Sequence, residues 1–125
     1  MNGERVLLDS VILIDHLNGI AAATRYIEET AARAHVSAIT RAEVLAGYSE
    51  EDTPPVRALL DTFPLIVIDR EVADLAATLR STNRWTLPDA LQVASARHHG
   101  LVLATRDTRD FPPDRYDFIR VPYSV

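Results

Sequence analysis

Cysteine is absent from the 125 residues, which excludes disulfides, thiol nucleophiles, iron–sulfur clusters and cysteine zinc sites. Lysine is absent as well: all 13 basic residues are arginine. Schiff-base enzymes, P-loop nucleotide binders and phospho-aspartyl folds with a lysine on the phosphate therefore drop out. A GC-rich genome accounts for the arginine bias without invoking function, and the exclusion holds either way. No apolar run approaches the roughly 20 residues of a membrane-spanning helix. The start, Met1-Asn-Gly-Glu-Arg-Val6, lacks the form of a secretion signal. A cytoplasmic protein with no membrane contact is expected. Positive charge is also short: 18 acids against 13 bases leave −5, a poor balance for non-specific polyanion binding.

What is present is ordinary for a folded chain, with 47% hydrophobic and 25% charged residues. The length predicts one domain over 1–125. Strands are expected at 5–9, 35–38, 65–68, 101–104 and 118–121. Between them, helical patterns run over 10–17, 21–33, 40–48, from Pro55 to about 62, 71–80 and 88–99, the last closed by Gly100. Residues 107–111 read as a turn of helix. Nearly all-apolar strands separated by helices indicate an α/β fold, a three-layer α/β/α sandwich around a mostly parallel sheet of about five strands. In such sheets the ligand crevice opens outside the strand carboxyl ends.

Four acids fall at strand ends or helix starts: Asp9, Glu43, Asp89 and Asp107. Each has a structural explanation taken singly. Thr40-Arg-Ala-Glu43 and Thr86-Leu-Pro-Asp89 fit capping boxes, and Asp9 and Asp107 fit N-caps. Glu43 strains that explanation, because its helical neighbours Ile39, Ala46 and Gly47 place it along an apolar face, and a buried acid needs a partner. Taken together, the acids form one crevice whose charges repel unless a cation neutralises them. Oxygen donors without cysteine favour Mg²⁺ or Mn²⁺ over zinc, and such a centre activates water for phosphoryl displacement. Asp69 and Glu71 follow a strand in the same way, and spacing alone does not exclude them.

The segments Leu7-Leu-Asp-Ser-Val-Ile-Leu-Ile14, Ser37-Ala-Ile-Thr-Arg-Ala-Glu-Val44, Leu87-Pro-Asp-Ala-Leu-Gln-Val-Ala94 and Leu103-Ala-Thr-Arg-Asp-Thr-Arg-Asp-Phe111 follow one another in an order that resembles the PIN-domain family. These are small metal-dependent ribonucleases that include the toxins of VapBC-type toxin–antitoxin pairs. The resemblance covers nearly the whole chain. It implies a Mg²⁺- or Mn²⁺-dependent endoribonuclease that hydrolyses RNA phosphodiesters with a metal-activated water. Asp9, Glu43 and Asp89 would form the acidic triad. Asp107 would be the fourth metal ligand, at a position where the family often has asparagine, with Asp110 the other candidate for that place. Ser10, Thr105 and Asp110 would be accessory residues. An RNA substrate, an antitoxin partner and a homodimer are implied too, and Asp69 moves to the sheet edge.

Arg41, Arg84, Arg106 and Arg109 lie near the acidic segments and are candidates for RNA phosphates, or for local ion pairs. Trp85 is expected to pack, as are His16, His98 and His99 to serve structure; Asp15 is expected at the surface. Glu50-Glu51-Asp52 reads as a solvated turn; the resemblance implies instead an antitoxin groove there, lined by Ile39, Val44, Val56, Leu59 and Leu60, which otherwise belong to the core. The rival functions are a non-catalytic RNA- or protein-binding module on the same fold, and a metal-dependent phosphohydrolase. The second is disfavoured by Asp9-Ser-Val11 and the missing lysine.

Overall fold

Three consecutive residues explain why the sheet is covered on both sides. Side chains alternate across a strand, and in β1 (Val6–Leu8) all three are buried. Leu7 joins a cluster with Val72, Ala76, Val93 and Phe111, whereas Val6 and Leu8 join Ile12, Leu13, Ile27 and Val44 on the opposite face. The structure, a computed structural model, describes residues 3–125. Met1 and Asn2, the start of the segment read for a secretion signal, lie outside them.

After β1 come α1 (Ser10–Leu17), α2 (Ala21–Thr30), β2 (Ala34–Ser37), α3 (Ala38–Ala46), α4 (Thr53–Leu60) and β3 (Leu65–Ile66). The second half holds α5 (Arg70–Thr82), α6 (Leu87–His98), β4 (Val102–Ala104) and β5 (Ile119–Arg120). The sheet runs β3-β2-β1-β4-β5, with every neighbouring pair parallel. Helices α1 to α4 supply one buried cluster and α5 and α6 the other, giving the expected three layers. The chain leaves β1 toward β2 on one side and later returns to place β4 on the other. The strand order therefore reverses beside β1, where a parallel sheet opens its ligand crevice.

Local departures from the expected elements have physical causes. Helix α2 stops at Thr30, whose hydroxyl donates back to the Tyr26 carbonyl at 2.8 Å, and a single 3₁₀ turn over Ala31–Arg33 replaces its last turn. Helix α4 starts at Thr53 rather than after the prolines, because proline in a first turn lacks only an N–H that has no partner there. Strand β3 ends at Ile66, with Leu65 and Ile66 paired to Val36 and Ser37; Val67 and Ile68 are exposed at the sheet edge. Residues 107–111 close one hydrogen-bonded turn, Phe111 N–H to Asp107 O at 3.1 Å, and no helix. Val44, Val56 and Leu60 are core residues, Leu59 packs against them, and Ile39 is partly exposed.

Candidate active site

The site is built outward from Asp9. Its backbone N–H donates to Ala104 O at 2.9 Å, so the end of β4 fixes where the chain leaves β1. Asp9 then caps α1: Oδ1 accepts from the Ser10 N–H at 3.0 Å and from Gln92 Nε2 at 3.1 Å. Oδ2 accepts from the Thr105 hydroxyl at 2.7 Å. The Thr105 oxygen accepts in turn from the Asp107 N–H at 3.0 Å, linking two acids through one hydroxyl.

Gln92 holds this arrangement from below. Its Nε2 also donates to Thr40 Oγ1 at 2.7 Å, and its Oε1 accepts from the Ser37 hydroxyl. Ser37 caps α3 by accepting from the Thr40 N–H at 3.1 Å. Ser37, Thr40, Gln92 and Thr105 are all at most 3% exposed. Buried polar groups of this kind are tolerable only when paired. In the sequence Gln92 falls inside the Leu87–Ala94 segment, three residues after Asp89 on the same helix face, but nothing there singles it out from its neighbours.

Above that network, Asp9, Ser10, Glu43, Asp89 and Asp107 line a cavity of about 490 Å³, with Arg106 and Arg109 at its side. Four chain segments thus bring the four acids together. Asp89 stands in the first turn of α6, its N–H bonded to the Thr86 cap at 3.3 Å, as the capping-box spacing predicts. The Thr40–Glu43 box is not formed, because Ser37 is the cap and Thr40 sits inside the first turn. Glu43 also departs from expectation. It is exposed at the cavity rim, and Thr40 and Val44 form the buried face of α3. Asp110 donates its N–H to Asp107 Oδ1 at 3.2 Å and lines an adjoining cavity.

The acids disturb one another. Burial pushes the Asp9 carboxyl up, hydrogen bonds from Thr105, Ser10 and Gln92 pull it back, and the charge of Asp107 pushes it up again. Glu43, at the rim, is raised by partial desolvation there and by the charge of Asp9, against the Ser10 hydroxyl. Asp89 is raised to about 6, by burial first, then by Asp110, Asp9 and Asp107 against the Thr86 hydroxyl. A raised folded-state pKa means that the folded protein binds more protons than the unfolded chain in this window, so stability falls as pH rises. For metal-free protein the window lies between the ordinary Asp value of 3.8 and about 6. Its Tm in chelator should therefore rise by a few degrees as pH is lowered from about 7 to about 5. Thermal unfolding checks this; a Tm that falls over that range contradicts the description of these acids.

The donor set is four carboxylates and neighbouring hydroxyls, with no thiol and no imidazole lining the cavity. That chemistry fits a hard divalent cation. Among the described residues, no three His, Asp or Glu side chains already stand in coordinating geometry. The acids face an open cavity.

The remaining candidates are spread wider. Arg41 pairs with Asp61 at 2.8 Å and does not line the acid cavity. Arg106 lines the cavity, yet its guanidinium is clamped on Asp15 by two hydrogen bonds of 2.6 and 2.8 Å. Asp15 is 5% exposed, not a surface residue. It also accepts from the Tyr123 hydroxyl at 2.8 Å, and the Arg106 bonds hold its carboxyl below the usual range. Arg84 and Arg109 flank the adjoining cavity, Arg109 lining both. Trp85 is buried against Phe111 and Tyr116. Asp69 caps α5, accepting from the Val72 N–H at 3.0 Å, away from the other acids. His16 Nδ1 lies 2.7 Å from the Thr24 hydroxyl, and His98 and His99 end α6 edge to face.

Fold and site together define a parallel α/β/α protein with a carboxylate-lined cavity at its switch point. Residues 6–118 match the PIN domain family, and the chain belongs to that family. Ribonuclease VapC10 of Mycobacterium tuberculosis is 32% identical over 96% of this chain and 94% of its own length. The toxin–antitoxin complex from Klebsiella pneumoniae contains a chain 33% identical, with a TM-score of 0.86 over 96% of this chain and 99% of that one. FitAcB from Neisseria gonorrhoeae shares the fold at 22% identity, with a TM-score of 0.78 over 96% of this chain and 99% of its own.

Proposed function

We propose that the chain, acting as one domain over 1–125, is the RNA-cleaving toxin of a toxin–antitoxin pair, with Mg²⁺ or Mn²⁺ as its cofactor. The observation that carries the reading is the gathering of Asp9, Glu43, Asp89 and Asp107 around one cavity. Membership of the PIN family and likeness to a named ribonuclease and a named toxin–antitoxin complex support it. Asp9, Glu43, Asp89 and Asp107 hold the cation, which when bound supplies Lewis acidity at the scissile phosphate and activates water.

The chain's own groups do the rest. Thr105 and Gln92 keep both oxygens of Asp9 in place, so the carboxylate meets its ligand without reorganising. Ser10 stands beside Asp9 and Glu43 in the cavity, where its hydroxyl favours the ionised form of Glu43. Thr105 also fixes the Asp107 backbone, and Asp110 keeps the Asp107 loop closed through its N–H. Arg109, and Arg106 with whatever donors Asp15 leaves free, present positive charge to the RNA backbone at the cavity side.

An antitoxin and a second copy of the chain are the protein partners in this reading, and the cytoplasm is its compartment. No helix among the described residues is long and apolar enough to cross a membrane. Exposed Leu65 and Val67 offer apolar contact at the sheet edge. The test is cleavage of total cellular RNA by the purified chain. Fragments should form with Mg²⁺ or Mn²⁺ and vanish in chelator; cleavage that persists in chelator refutes the cofactor and the mechanism together.

A further inference from the structure

Next to the acids lies a second cavity, of about 410 Å³, with the opposite character. Its lining includes Asn83 and Arg84 from the α5–α6 loop and Arg109, Asp110, Arg115 and Tyr116 from the segment after β4. Arg109 lines both cavities, so the two adjoin at one side chain. In a chain of net charge −5, three arginines meet around a single acid. Among the described residues, Arg41, Arg106 and Arg120 are each paired with a carboxylate, while Arg84, Arg109 and Arg115 have none within 4.0 Å.

The floor of this cavity is firm. Trp85 Nε1 donates to the Asp110 carbonyl at 3.0 Å, and its ring packs on Phe111 and Tyr116. Arg115 lies over the Tyr116 ring, 5.7 Å from its centre. The Asn83 amide nitrogen is held by the Leu79 carbonyl at 2.9 Å. Its oxygen is left with only a long 3.5 Å bond from the Tyr116 hydroxyl, an acceptor open to a base.

We propose that this second cavity is a subsite for the RNA strand, in which Arg84, Arg109 and Arg115 hold a backbone phosphate flanking the bond placed among the acids, and Asn83 and Tyr116 face the attached nucleoside. The inference rests on the ribonuclease reading. Carboxylates repel a polyanion, and a cation among them neutralises the phosphate it touches and little beyond. A strand lying across the site needs a positive anchor beside it, and this is the unpaired cluster that adjoins the acid cavity. Arginine forks suit phosphate oxygens.

The test is fluorescence anisotropy with a labelled single-stranded RNA octanucleotide and the full chain kept in chelator, where no cleavage consumes the probe. The variants are Arg84→Ala/Arg115→Ala and Arg84→Lys/Arg115→Lys. Both positions are exposed, and circular dichroism checks the fold. The alanine pair should weaken binding roughly tenfold or more. It should also flatten the dependence of log affinity on log salt by about 0.7 for each phosphate that is no longer neutralised. The lysine pair should recover most of the affinity and the slope. Equal binding by wild type and alanine pair, or no binding by wild type, overturns the subsite. So does an acidic peptide of equal charge that binds as tightly and is weakened as much, since the arginines then serve a protein partner. The ribonuclease reading fails by a different result, the absence of metal-dependent cleavage, which leaves this binding measurement standing.

Discussion

Replacing Asp9 by asparagine is expected to lower RNA cleavage by about a hundredfold or more while leaving the protein folded. Asp9 is the acid the network is built to hold, with Ser10, Gln92 and Thr105 all donating to it. Losing its charge removes an anionic ligand from a centre that contributes several kcal/mol to transition-state stabilisation. Shape is nearly conserved, and an amide accepts from Ser10 and Gln92 as the carboxylate did while donating to the Thr105 oxygen. Burial already raises the pKa of Asp9, so removing its charge relieves a cost. The Tm of Asp9→Asn in chelator should lie within a few degrees of wild type or above it. Cleavage by Asp9→Asn at the wild-type rate, measured with a labelled RNA in Mg²⁺, would remove this residue from the mechanism.

Gln92→Leu carries the larger expected effect on stability. Leucine fills a similar volume but leaves the hydroxyls of Ser37 and Thr40, both fully buried, without the amide that pairs them. At about 1–3 kcal/mol for each stranded polar group, with leucine's better transfer energy offsetting part, the net loss should be about 2–4 kcal/mol. Urea unfolding measures it as a shifted midpoint at unchanged slope. Asp9 loses one of its donors in the same substitution, so affinity for a divalent cation should also fall, by about 10–100-fold, as it does when groups orienting a ligand are removed. A stability within about 0.5 kcal/mol of wild type, the ordinary scatter of surface substitutions, would mean that the buried network is rearranged in solution.

Both expectations depend on how the site sits on the fold, and the two were not equally legible in the sequence. The layers were readable because Leu7 and its neighbours are apolar in succession, a pattern that only a sheet covered on both faces accommodates. The four acids were readable because Asp9 and Asp107 follow strands, Asp89 opens a helix, and Glu43 stands in the helix that directly follows β2. What spacing did not reveal is what happens across the chain. Gln92 is 83 residues from Asp9, and glutamine in a helix is too common to stand out. The Asp15 carboxylate looks like surface charge until Arg106 and Tyr123, 91 and 108 residues away, close over it. Glu43 lies off the apolar face its spacing predicts for a local reason: the helix begins at the Ser37 cap, and the face that burial selects is the one carrying Thr40 and Val44. Helix ends and faces are set by capping and packing together, and spacing alone records only their sum.

Calorimetric titration of Mn²⁺ into the metal-free protein at neutral pH tests the account at its centre. Wild type should take up the cation with saturable heat, and the Asp9→Asn/Asp89→Asn variant, folded by circular dichroism, should give none at the same concentrations. Equal uptake by both proteins, or none by wild type, would contradict the claim that these carboxylates are gathered to hold a divalent ion.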